Sequence, residues 1–441
     1  MMRRALLAAL AAAAPVWLPA DEPASVPLGL DEAVSRALLV SARLGELASL
    51  ERAADAGRRG ARAQRLPLLD LGASYYRNSD VPELAIISPG PPPSRLTVFP
   101  NIPDTYRAHA ALSQPLYTGG RVSGSIDAAE SQHQAAGLER ETGVQDLVLE
   151  TKTAFWGLVR ARENERVLAE AVAAYESHLK DARNRLELGM AARNEVLAVQ
   201  VERDRAELNR LSAHNSAELA NADLVRLVDL APGSRITPIS EASAVLPPGS
   251  DVEALVAQAT QARPELKALR SRRGALEANV KIARSDRLPQ ASLAGGYDYA
   301  NPNPRILPLV AAWNGTWSVG VNIGISVFDG GRTSAAVAEA QARVEAVRHQ
   351  LDDLERHVRL EVTGRRLDLE TAIAALSVAQ RNLEAAHENV KVAQDRYREG
   401  LIPSSELLDA ETAQLAAGLD QTTAVSEVEL AAARLNRSLG Q

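Results

Sequence analysis

The residues that could do chemistry are few and far apart. The chain has seven histidines, three methionines and no cysteine. Without cysteine there is no disulfide, no thiolate metal site and no lipid attached through a thiol. His349 and His357 stand eight apart on a helical stretch, which suits two surface residues better than two ligands. No GxxxxGK[ST], no HExxH and no Cys–His arrangement occurs, so a phosphate cradle, a zinc site and a thiol nucleophile all lack their residues. The chain is therefore not read as an enzyme, and neither cofactor nor metal is expected. What does recur is glycine. Gly119 and Gly120 precede Arg121, Gly330 and Gly331 precede Arg332, and Gly189 and Gly400 stand in long stretches free of proline. The chemistry of glycine is conformational, because it alone takes left-handed backbone angles freely. TGGR and DGGR therefore predict turns from strand to helix. Gly189 and Gly400 suit the residue that ends a helix, with Pro403 in the turn and Asn194, Ser404 and Ser405 able to cap the next helix.

Elements must position these turns. Proline is absent between Pro115 and Pro232, between Pro308 and Pro403, and after Pro403. It would cost about 3 kcal/mol inside a helix, so these zones are permitted helices. Apolar residues recur there at three and four, as in Val337, Ala340, Val344, Val347, Leu351 and Leu354. A helix over 122–187 would be roughly 100 Å long at 1.5 Å per residue and needs lateral partners throughout. The abundance of Ala suits close packing. Ten of the fifteen aromatics fall instead in two windows, 67–118 and 289–328, and each window has two strand-like pieces around a Pro-rich loop.

The chain is an internal duplication. TGGR at 118–121 recurs as DGGR 211 residues later, and RLELGMAARNEVL (185–197) recurs as RYREGLIPSSELL at the same offset. RLPLLDLGASY (65–75) recurs as RLPQASLAGGY 222 residues later, so the first half carries 11 more residues in its loop. The first repeat spans 28–230, with a helix, strands over 67–77 and 105–118, and a helical hairpin over 122–230. A Pro-rich linker covers 231–250. The second repeat spans 251–441, with a helix, strands over 289–300 and 313–328, and a hairpin over 332–440. Residues 1–20 read as a secretory signal peptide: Arg3 and Arg4, an apolar run, then small residues.

Trp317, Val319, Val321, Ile323, Ile325 and Val327 alternate with small or polar residues. Ten residues advance about 33 Å, or roughly 23 Å of height when tilted, which is the measure of a transmembrane barrel strand with an apolar lipid-facing side. Arg107 and His109 then fall on the face toward a lumen. Four strands cannot close a barrel, and an open edge cannot sit in lipid. Closure demands several copies, and three would give twelve strands. The fold class expected is thus mixed, all-α plus a transmembrane β-barrel. Net charge of −7 argues against nucleic acid as a partner.

These features together resemble the TolC-like outer-membrane efflux proteins, over about 28–440. The signal peptide, the duplicated strand–GGR–helix units and the paired R-[LY]-x-x-G-x-x-x-x-x-E-x-L motifs carry the resemblance. It implies a homotrimer with one 12-stranded barrel in the outer membrane of a Gram-negative bacterium, continuous with a long helical barrel in the periplasm. It places the linker in the equatorial region. It implies an exit duct for tripartite efflux pumps or type I secretion, meeting a periplasmic adaptor and an inner-membrane transporter. It places the paired Gly motifs at the periplasmic tips, where Leu188, Gly189, Met190, Gly400 and Leu401 would form the adaptor-docking surface. It makes Glu406 and Asp409 the acidic residues of a periplasmic gate, and Tyr397 with Glu195 a hydrogen-bonded pair linking hairpins. The chain departs at Ile402, where well-known members carry a basic gate residue, a role Arg193 or Arg398 could take over. Sparse Met and His give no support for a copper- or silver-specific duct. The competing reading, a soluble periplasmic coiled-coil adaptor or scaffold, explains the helices but neither the aromatic windows nor the alternation at 317–327.

Overall fold

The computed structural model describes residues 25–92, 94–239 and 251–441. The expected signal peptide over 1–20 and the 240–250 part of the expected linker lie outside them. In chain order the elements are β1 (Ser25–Gly29), α1 (Leu30–Val40), α2 (Ala42–Ala63), β2 (Leu68–Arg77), β3 (Leu84–Ser88), β4 (Ser94–Phe99), β5 (Asp104–Tyr117), α3 (Arg121–Glu187), α4 (Arg193–Leu227), β6 (Arg235–Ile239), α5 (Val252–Ala262), α6 (Pro264–Ser285), β7 (Gln290–Asn301), β8 (Asn314–Gly324), α7 (Arg332–Arg398) and α8 (Ser404–Ser438). The equal offsets of the sequence motifs become equal lengths: α3 and α7 have 67 residues each, α4 and α8 have 35 each. No described helix is long and apolar enough to cross a membrane.

The described residues fall into two compact units, one of 25–41, 147–239 and 368–434, the other of 42–92, 94–146, 251–367 and 435–441. This division cuts across the sequence repeats, because α3 and α7 each run through both units. In the first unit β1 and β6 pair in parallel. Leu28 and Ile236 from these strands are fully buried against Phe155, Trp156, Leu224 and Val228. Asn221 fixes β6: its Oδ1 accepts from the Ile236 N–H and its Nδ2 donates to the Ser234 carbonyl, both at 2.8 Å. Residues 235–239, read from the sequence as linker, are thus a strand in the core.

The second unit holds a four-stranded antiparallel sheet in the order β2-β5-β7-β8. Its register puts Leu71, Ala110, Tyr297 and Trp317 in one row, and Leu69, Leu112, Gly295 and Val319 in the next of the same face. Opposed residues share a face and neighbours along a strand alternate, so the middle of this face is apolar, and its polar residues stand at the ends: Arg77, Asp104 and Asn301 at one, Gln114 at the other. Tyr75, Tyr106, Trp313 and Tyr299 cluster at one end of it, with ring centroids 4.9–5.9 Å apart. The other face has the row Gly72, His109, Asp298 and Thr316, and Arg107 bonds Asp298 at 2.5 Å. Within the chain β2 and β8 are edge strands.

Two expectations change here. The ladder of β8 ends at Gly324 opposite Gln290, because Pro289 before that partner has no N–H to continue it. Ile325, Val327 and Phe328 lie beyond the strand, 55%, 90% and 89% exposed. The Pro-rich loop of the first window contains an antiparallel hairpin, β3 with β4, with Ile86 opposite Leu96 and Leu84 opposite Phe99. Among the helices of this unit, α3 approaches α6 and α2 at glycines. A Cβ on Gly124 would meet Ile282 Cγ1 at 2.8 Å, and one on Gly143 would strike Leu47.

Candidate functional site

Each helical hairpin turns through the same backbone device. Gly189 has φ 72° and Gly400 φ 76°. The Gly189 N–H bonds the Leu186 carbonyl at 3.0 Å and the Met190 N–H bonds Arg185 at 2.8 Å. The second turn repeats this, Gly400 to Tyr397 at 3.0 Å and Leu401 to Arg396 at 2.9 Å. This is the Schellman arrangement, which satisfies the last carbonyls of a helix and needs a left-handed residue. Its usual apolar contact is not buried here: Leu188, Met190 and Leu401 are 73%, 68% and 63% exposed. Two glycine turns therefore present three large apolar side chains to the surroundings.

Capping of the outgoing helices differs from expectation. Asn194 lies inside α4, and the residue before that helix is Ala192, whose N–H reaches the Glu195 carboxylate at 3.4 Å. Ser404 is already the first residue of α8, after Pro403, and its side chain is buried rather than capping. Glu406 and Asp409 are exposed on α8.

Tyr397 is only 4% exposed, and its hydroxyl makes no hydrogen bond among the described residues, with Glu195 or otherwise. Burial pushes its phenol above the usual value, with the Arg185 guanidinium opposing. Arg185 lies 4.1 Å from the ring centroid, and its Nη2 donates to the Tyr397 and Arg398 carbonyls at 2.6 and 3.2 Å. It closes the C-terminus of α7, where a cation is favoured by the helix dipole. Ile402 is a core residue, packed with Val390, Ala393, Tyr397, Leu407 and Ala410. Arg193 is exposed, and Arg398 faces Asp395 at 3.6 Å. Beside the two turns, Arg185 is a cation that joins the hairpins, and the sequence alone did not mark it.

Nor did it mark His178. The ring is 3% exposed, with Nδ1 2.8 Å from Glu411 Oε2 and Nε2 2.9 Å from Ser404 Oγ, and both partners are buried. Tyr397 meets the ring edge-on at 5.3 Å. Beside this, Tyr175 Oη lies 3.2 Å from Thr412 Oγ1. The one signal in the sequence was a histidine on the apolar stripe of Val172, Tyr175, Leu179 and Ala182. No group of acidic and histidine residues suited to a metal occurs among the described residues.

The strand-to-helix turns answer to their sequence. Gly119 and Gly120 have φ 61° and 94°, Gly330 and Gly331 φ 65° and 87°. Thr118 Oγ1 accepts from the Val122 N–H at 3.2 Å. Asp329 accepts from the Gly331 and Thr333 N–H groups at 3.0 and 2.8 Å and from the Thr333 hydroxyl. The Thr333 bonds hold its carboxyl below the usual carboxylate value. The leading residue of each GGR motif thus caps a long helix with its side chain, from two positions before the N-cap glycine.

The pattern of the family described as Outer membrane efflux protein matches residues 33–228 and 255–441. Outer membrane protein TolC of Vibrio cholerae is 24% identical over 382 residues, 86% of this chain and 83% of that protein. Outer membrane efflux protein BepC of Brucella suis is 24% identical over 330 residues, 75% of this chain and 71% of that protein. The structure of the outer-membrane channel OprN superposes with a TM-score of 0.78 at 23% identity, covering 93% of this chain and 89% of that one.

Proposed function

The chain belongs to the outer membrane efflux protein family, and from that premise we propose how three copies of it make a duct and where the duct is met and closed. It is an outer-membrane exit channel of the efflux and type I secretion class, extending into the periplasm of a Gram-negative bacterium, and it works with adaptor and inner-membrane components. In the reading proposed here, β8 of one copy pairs with β2 of the next until three sheets close into a 12-stranded barrel. The face with Trp317, Val319, Val321 and Ile323 meets lipid, and the face with Arg107, His109 and Asp298 lines the lumen.

One observation carries this reading: a four-stranded sheet with one face that is apolar through its middle, polar only at its two ends (Arg77, Asp104 and Asn301 at one, Gln114 at the other), and unpaired at both edges. In lipid each unpaired edge group would cost several kcal/mol, roughly, so a single sheet cannot remain open there. A soluble adaptor or scaffold has no use for such a face in water, which sets that alternative aside. The test is the molar mass of detergent-extracted protein from the outer-membrane fraction, by size exclusion with light scattering corrected for detergent. A mass near three chains is expected. A monomer recovered without detergent from the periplasm overturns the shared barrel.

The adaptor docks, in this reading, on the exposed Leu188, Met190 and Leu401 beside Gly189 and Gly400. Glu406 and Asp409 from three copies ring the periplasmic constriction, where clustered carboxylates attract cations. Tyr397 and Glu195 stand at the same tip. The duct carries no catalytic site of its own.

A further inference from the structure

We propose that His178 is a positioning residue, a pin that sets the rotation of α8 and thereby aims Glu406 and Asp409. The proposal rests on the reading of those two carboxylates as the constriction. Its geometry does not. Ser404 and Glu411 are seven residues apart on α8 and both face His178 of α3, at 2.9 and 2.8 Å. At about 100° per residue, Glu411 lies within about 20° of Ser404 around the helix, while Asp409 and Glu406 lie about 140° and 200° round. One imidazole, held at both nitrogens, therefore fixes the angle of the opposite face. Two contacts a pair of turns apart also stop α8 sliding along α3.

The chemistry keeps the pin closed. The Glu411 carboxylate can only accept, so Nδ1 carries a proton toward it. Nε2 then accepts from the Ser404 hydroxyl when the ring is neutral, or donates to it when the ring is cationic, because a hydroxyl serves either way. The pin is satisfied in both states of the histidine, broken by loss of the ring and weakened by loss of the Glu411 charge. All three side chains are buried, so water cannot substitute for a missing partner. Tyr397, edge-on to the ring, and Arg185 above Tyr397 extend the contact to α7. His178 thus ties one hairpin to both helices of the other.

The natural chain has no cysteine, so spin labels on Lys180→Cys of α3 and Ala413→Cys of α8, both exposed, report one distance in trimers diluted with unlabelled chain. His178→Phe keeps an aromatic ring for the edge contact but loses both hydrogen bonds. Glu411→Gln keeps volume and loses charge. The expected result for His178→Phe is a second, longer distance population and a several-fold higher half-blocking concentration of hexaamminecobalt(III) in single-channel recordings. Glu411→Gln should move both readouts the same way by less, and it carries the test by the same criteria if His178→Phe yields no trimer. An unchanged distance distribution overturns the pin, whatever the block does. A shifted distance with unchanged block overturns its aiming role, provided that Glu406→Ala with Asp409→Ala does change the block in the parent. If that double variant leaves the block unchanged, the constriction reading falls and the distance alone decides the pin.

Discussion

Glu406 and Asp409 are exposed on the side of α8 turned away from Ser404 and Glu411, which makes them separable from the fold. Glu406→Ala with Asp409→Ala should weaken block of single-channel current by multivalent cations several-fold, with trimer yield unchanged. Equal block in parent and variant removes the pair from the constriction. Gly400 tests the docking surface. Nothing lies within 4 Å of a Cβ built there, but its φ is 76°, so any side chain carries about 1 kcal/mol of strain. Gly400→Ala isolates that strain and should still support efflux; Gly400→Trp adds bulk beside Leu401 and should abolish it while the trimer forms. Efflux at parental level in a well-expressed Gly400→Trp strain sinks the docking assignment. Gly189 and Gly400 were legible in the sequence because few other residues accept their backbone angle. His178 was not, because its partners lie 226 and 233 positions away and nothing local marks them. Ile402 marked a departure from the family, and only packing showed it to be a core residue, with Arg185 on the ring of its neighbour Tyr397.

At the scale of elements, the first GGR turn converts a strand to a helix in three residues, 118–120, while seven, 325–331, separate β8 from α7; in both, two left-handed glycines reverse the path and the residue before them caps the helix. Thr118→Ala should cost about 1 kcal/mol through the lost cap, read as a lower midpoint for thermal unfolding in detergent, while Thr118→Ser should keep most of it. Equal midpoints for all three proteins remove the capping role. Asp329 does the same work with a charge. Its folded pKa lies below the usual 3.8, so the folded state binds fewer protons than the unfolded one. Its contribution is whole above the ordinary carboxylate pKa and is lost as pH falls through the lowered value. The midpoint difference between parent and Asp329→Asn should therefore shrink on acidification through that range; a difference that stays constant, or grows, contradicts the assignment. Helices and hairpin turns were legible because proline punctuates them. The strand β6 and the early end of β8 were not, since one depends on pairing with β1, far away in the chain, and the other on a proline in the partner strand; the β3–β4 hairpin is local, but the prolines between its strands read as loop.

For the whole molecule the decisive contrast is between neighbouring residues of β8. Val321 lies on the apolar face and Asn322 on the other. Val321→Arg should lose about 2–4 kcal/mol if it sits near the bilayer midplane, seen as loss of heat-resistant trimer from outer-membrane preparations, whereas Asn322→Arg should be tolerated. The opposite ranking would mean that the sheet faces lipid with its polar side. The matched helices of the two repeats have one more consequence. Because α3 equals α7 and α4 equals α8 in length, the two hairpins act as paired rulers, and a residue gained or lost in one has to be matched in the other for the turns at Gly189 and Gly400 to stay level. Length change is therefore free only where nothing measures it, as in the β2–β5 connection that already holds the first half's 11 additional residues. Genetic insertions and deletions in this lineage should collect there, and those in the helices should come in register as pairs.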